Sequence, residues 1–144
     1  MAYEISRRRP DDISSGRDTA LGLSLPLQRG NRGYFEQNFS TIEQAKTNIR
    51  NLLKTRRGER LIQTNFGTGL STILFEQLDE PNIAGVIEDE IETAFERWLP
   101  YVNLENVEID ASPSNADRNR VEISIDFRVG NDIDVNTVTF TIEE

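Results

Sequence analysis

The chain has no cysteine and no histidine, and these two absences remove a large share of protein chemistry. Without cysteine there is no disulfide, no thiolate nucleophile and no Cys/His zinc site. Without histidine, Ser-His-Asp catalysis and an imidazole general base are gone as well. Paired carboxylates, lysine chemistry or an all-oxygen metal site are what remain for an enzyme. Long apolar runs are missing too. No stretch approaches the roughly 18 residues that cross a bilayer, so no membrane partner is expected. The opening residues MAYEISRRRPDD carry charge with no apolar stretch behind it, unlike a secretory signal, and cytoplasmic synthesis is the expectation.

What is present fits one small domain. A chain of 144 residues has room for a single core. Apolar residues are 36% and the mean hydropathy is -0.53, so the core-formers are lean for a globular domain. The net charge of -9 is unevenly spread: residues 1–60 hold 12 Lys+Arg against 7 Asp+Glu, and residues 61–144 hold 4 against 18. Halves of opposite sign suit partners of complementary charge, or else the helices and sheet merely show water an acidic face. The basic residues are scattered and the acidic half repels phosphates, which argues against nucleic acid as a partner.

The pattern along the chain predicts an α+β domain: three helices packed on a small antiparallel sheet, with an extended N-terminal arm. Residues 1–33 read as the arm and 34–144 as the single domain. Gly16, Gly22, Gly30 and Gly33 with Pro10 and Pro26 break regular structure in the arm. Its apolar segment Leu21–Leu27 is expected to lie extended along the domain or a partner, and the first dozen residues to be disordered in isolation. Ser40 and Glu43 form a capping box for a helix over 41–54, with Ile42, Ala45, Ile49, Leu52 and Leu53 on one face. Residues 58–69 read as a loop around an inward Phe66. A short helix follows, with Leu70, Ile73, Leu74 and Leu78 inward. Pro81 suits the first position of a third helix, about 81–98. Its stripe is Ile83, Val86, Ile87, Ile91, Ala94, Phe95 and Trp98, and Pro100 stops it. Then the period changes to two. A strand is expected around Val107–Asp110, a polar loop over 112–119, and a strand alternating through Val121, Ile123, Ile125, Phe127 and Val129. A last segment carries Ile133 and Val135, then Val138, Phe140 and Ile142, and the change of parity near Asn136 predicts a bulge or bend.

Candidates for chemistry are weak. Glu88, Glu92 and Glu96 stand four apart on the third helix, a spacing at which like charges repel mildly and usually face water. Asn65-Phe66-Gly67-Thr68-Gly69 looks like a phosphate loop but lacks the lysine and the preceding strand. Asp132 and Asp134 lack calcium-loop spacing. No catalytic residue, cofactor or metal is therefore expected. Arg56, Arg57 and Arg60 form a small basic cluster, which serves either the helix end or a contact to an acidic partner.

The run Leu53-Lys54-Thr55-Arg56-Arg57-Gly58-Glu59-Arg60-Leu61-Ile62, then Phe66-Gly67, Leu70 and Ile73-Leu74-Phe75-Glu76 resembles a known family. It is similar to the baseplate wedge and sheath-initiator proteins of contractile-tailed phages, whose relatives include the TssE subunit of type VI secretion. Leu25-Pro26-Leu27 and Gly33-Tyr34-Phe35 also resemble the family's N-terminal region. The likeness covers roughly residues 20–110. The family's Glu-Pro-Arg tripeptide, which supports docking onto the helical core bundle of the wedge, is replaced by Leu99-Pro100-Tyr101.

The resemblance implies a structural virion protein of the tail baseplate, not an enzyme, made and assembled in the host cytoplasm. Its implied partners are the tail sheath protein and other baseplate wedge proteins, with a contact to the tail tube left open. It further implies that wedge docking uses Arg57, Gly58, Glu59, Arg60, Phe66, Gly67, Leu99, Pro100 and Tyr101. A C-terminal strand of Thr137, Val138, Thr139, Phe140, Thr141 and Ile142 is implied to offer the edge on which sheath assembly starts. Strand addition is a known recognition mode, and such an edge is hazardous unless paired; without the family, the same strand reads as internal to the sheet. Some family members have been described as lysozyme-like, which makes a peptidoglycan-degrading tail enzyme the alternative.

Overall fold

In the computed structural model the described residues are 19–30, 33–76, 83–110 and 120–143. The expectations for residues 1–12, Leu78, Pro81 and the 112–119 loop lie outside them. The elements in order are β1 (Gly22–Leu23), β2 (Gln37–Asn38), α1 (Thr41–Lys54), α2 (Leu70–Glu76), α3 (Ile83–Trp98), β3 (Val102–Asp110), β4 (Arg120–Val129) and β5 (Asn136–Glu143). Three helices, a three-stranded antiparallel sheet and a two-stranded sheet make this the α+β fold that the change of period predicts.

The chain divides into two compact units, residues 1–44 and 45–144. In the first, β1 pairs antiparallel with β2, Gly22 opposite Asn38 and Leu23 opposite Gln37. The segment is thus extended, and its backbone partner is a short strand. The Leu25–Pro26 bond between the two strands is cis. Ser40 Oγ accepts the Glu43 amide at 3.1 Å, which is the N-cap half of the expected capping box.

In the second unit the sheet order is β3-β4-β5. Val121, Ile123, Ile125 and Phe127 of β4 are buried, as are Val138, Phe140 and Ile142 of β5. Registers such as Ile123 opposite Phe140 and Ile125 opposite Val138 put these side chains on one face. That face shares its core with Ile49, Leu52, Leu53, Leu70, Ile87, Ile91 and Phe95 of the helices. At about 1.5–3 kcal/mol per large apolar side chain, the shared layer supplies most of the unit's burial energy.

One local expectation changes and another is narrowed. β3 begins at Val102, five residues before the expected start, because a bulge between Leu104 and Asn106 interrupts the alternation that marks a strand. Of the two alternatives for the parity change near Asn136, the bulge is absent and the chain turns ahead of that residue instead. β4 ends at Val129, Gly130 turns the chain with φ +59°, and exposed residues 131–135 connect to β5. Ile133 and Val135 belong to that connector, so their spacing carries no strand register.

Candidate functional site

The expected C-terminal strand is an edge strand. β5 pairs with β4 from Asn136 opposite Phe127 to Glu143 opposite Arg120. Among the described residues nothing pairs with its outer side. Its core-facing side chains anchor it, while the threonines face the other way. Thr137 Oγ1 donates to Asp126 Oδ1 at 2.5 Å, and the hydroxyls of Thr139 and Ser124 lie 3.1 Å apart. The strand is held from the β4 side and carries neither proline nor glycine nor bulge. β3, the opposite edge, differs: it is bulged, and Glu105 at the bulge forms an ion pair with Arg128.

The residues expected to dock fall into two groups. The first is the loop after α1. Gly67 has φ +105°, and a Cβ there would meet Thr55 O at 2.3 Å, so only glycine closes this loop. Backbone bonds fasten its base: Thr68 N to Thr55 O at 2.9 Å, Arg57 N to Thr68 O at 3.2 Å and Gly58 N to Thr64 O at 2.7 Å. Thr68 Oγ1 also donates to Leu53 O at 3.2 Å, satisfying a carbonyl that the end of α1 leaves open. Glu59 Oε2 accepts the Arg56 amide at 3.0 Å. The Arg60 guanidinium lies 3.7 Å from the centroid of the Phe66 ring, and Phe66 meets Trp98 edge-on at 5.2 Å.

The second group is the turn after α3. Leu99 is a core residue, 6% exposed, whereas Pro100 and Tyr101 are exposed. Asn48 Nδ2 donates to Tyr101 Oη at 2.7 Å. Arg60 Nη2 donates to Asn51 Oδ1 at 3.3 Å. Asn48 and Asn51 are three apart on α1 and therefore share a face. One helix face thus braces both groups, and the Phe66–Trp98 contact ties them a second time.

Sequence reasoning missed three contributors. Glu90 of α3 is absent from the sequence reading, which takes only its neighbours Glu88, Glu92 and Glu96 as a solvated face. It accepts Arg57 Nη2 at 2.7 Å and the Gly69 amide at 2.8 Å, so it latches the loop to α3. Leu61 and Ile62, the apolar pair in the loop, point almost wholly into water at 98% and 97% exposure. A sequence contains no local signal for the 33-residue reach from Arg57 to Glu90.

Among the described residues no three acidic side chains converge as metal ligands. A cavity of about 320 Å³ in the first unit is lined by Leu27, Gln28, Arg29, Tyr34 and Phe35, none of them a carboxylate. Among the described residues no helix is long and apolar enough to cross a membrane.

A loop fastened to two helices and a three-stranded antiparallel sheet define a small α+β domain. The sequence profile of the family described as "Baseplate wedge protein gp25" matches residues 40–133, and the chain belongs to that baseplate wedge family. A crystal structure of a Geobacter sulfurreducens protein, provisionally described as a tail lysozyme, is similar with a TM-score of 0.62 and 30% identity. The match covers 72% of this chain and 91% of that one. A chain of the anti-feeding prophage baseplate, seen by cryo-electron microscopy with six-fold symmetry, shares the fold at a TM-score of 0.62 and 22% identity. That match covers 78% of this chain and 86% of the other. No curated protein matches the chain.

Proposed function

We propose that the chain is a structural, non-catalytic subunit of a contractile-tail baseplate that docks on the helical wedge core and starts sheath assembly at β5. Family membership supports the baseplate half of this reading. The single observation that carries the sheath half is that the outer side of β5 is unpaired among the described residues. A smooth, threonine-rich edge anchored by Val138, Phe140 and Ile142 can accept a strand without rearranging the core. The loop 55–69 and the Pro100–Tyr101 turn, both braced by α1, form the wedge-docking surface. Copies fixed side by side on a wedge would present several edges at once, so that weak individual pairings sum to a stable first sheath ring.

The test leaves the core intact, since deleting β5 would remove three buried side chains. Thr139→Lys with Thr141→Lys places two charges beside the edge, the device by which natural sheets discourage pairing. The circular dichroism should stay unchanged and sheath-subunit recruitment should fall at least about tenfold. Equal recruitment by the folded variant would reject β5 as the template.

The alternative, a peptidoglycan-degrading tail enzyme, draws on the provisional description of the Geobacter relative. Glu88, Asp89, Glu92 and Glu96 of α3 are exposed, and Glu90 is engaged by Arg57 and Gly69. Peptidoglycan release by the purified chain, abolished by one carboxylate-to-amide change, would establish that reading instead.

A further inference from the structure

Leu61 and Ile62 are adjacent, aliphatic, and 98% and 97% exposed. Isolated exposed leucines are ordinary, but two together at the tip of a braced loop are not. The loop that holds them out is not free to fold them back. Gly58 N to Thr64 O closes it below the tip, and Arg60, the residue just before the pair, is held by Phe66 and Asn51. Glu90 holds the base through Arg57 and Gly69. A preformed apolar knob loses little conformational entropy when it binds, which is where much of the cost of association arises.

The surroundings select the partner. Lys54 and Arg56 are exposed near the foot of the loop, Arg57 beside them is ion-paired with Glu90, and between 54 and 60 the one acid is Glu59, which accepts the Arg56 amide. The complementary surface is an apolar groove with carboxylates on its rim. Two places on the chain's own described surface fit poorly. The cavity lined by Leu27 and Phe35 carries Arg29 at its side, a charge of the same sign. The outward face of α3, with Glu88, Asp89, Glu92 and Glu96 exposed, is acidic but among the described residues exposes no large apolar side chain.

We infer that Leu61 and Ile62 are the apolar anchor of the docking loop, inserting into a carboxylate-rimmed apolar groove on another polypeptide of the baseplate wedge core. This rests on the wedge-docking reading above and adds to it the residues that carry the affinity and the chemistry of their receptor. The flanking cations steer encounter, so they act on the association rate and its salt dependence. The anchor acts on the dissociation rate.

The test uses the full chain and the purified wedge-core complex of the same tail, with binding measured at two salt concentrations. Leu61→Ser with Ile62→Ser alters side chains that touch solvent alone, so thermal unfolding should match the parent. Wedge-core affinity should fall at least about a hundredfold at both salt levels. Arg56→Ala should weaken binding a few-fold, and only at low salt. Parent binding with less than twofold loss in the double variant would overturn the anchor while leaving wedge docking intact. No binding by the parent would overturn wedge docking itself and the anchor with it. Self-association of the isolated chain that the double variant abolishes would make a second copy the receptor and overturn the wedge groove.

Discussion

β3 and β5 flank the same central strand, yet they are built as opposites. β3 carries a bulge between Leu104 and Asn106, the Glu105–Arg128 ion pair, and exposed Glu108 and Asp110 on its described length. β5 runs from Asn136 to Glu143 in unbroken register with threonines at 137, 139 and 141. Bulges and charges are the ordinary means by which a sheet refuses a further strand. Among the described residues the sheet therefore has one guarded edge and one open edge, and under the proposed function that difference would give it a direction of growth. An assembly subunit needs that asymmetry, since two open edges would polymerise the free protein.

The comparison breaks most completely at the residue both edges share. Phe127 is fully buried near the C-terminal end of β4, opposite Leu104 on one side and Asn136 on the other. Phe127→Ala should cost about 3–5 kcal/mol in urea denaturation and abolish sheath recruitment, because neither edge survives without the central strand. A much smaller change sharpens the contrast. Glu105→Thr removes the exposed ion pair from β3, and its effect on stability should stay within about 1 kcal/mol. The same variant should self-associate at concentrations where the parent is monomeric, measured by sedimentation. A monomeric variant would assign the guarding of β3 to the bulge alone.

The helices and the central strand were legible because each is specified locally. Ser40 and Glu43 start α1 at Thr41, and the 3–4 spacing of Ile49, Leu52 and Leu53 predicts their burial. The alternation Val121, Ile123, Ile125, Phe127 states both that β4 is a strand and which face is inward. β3 was cut short in the reading because its bulge breaks the alternation, and the β1–β2 pair of two residues each is too short for any periodicity. Of the candidate site, the glycines and the Arg60–Phe66 neighbourhood could be placed on one loop. The latch could not: Glu90 differs from Glu88 and Glu92 only in what folds against it. Leu61 and Ile62 look in sequence like any apolar pair bound for a core, and only the closed loop beneath them turns them outward.

Amide hydrogen exchange on the full chain, with and without sheath subunits, tests the central claim most directly. In the free protein the outward amides of β5 should exchange fast and the inward ones slowly, as an open edge requires. Adding sheath subunits should slow the outward amides of β5 and leave β3 unchanged. Protection that appears along β3, or sheath binding with no protection in β5, would contradict the account.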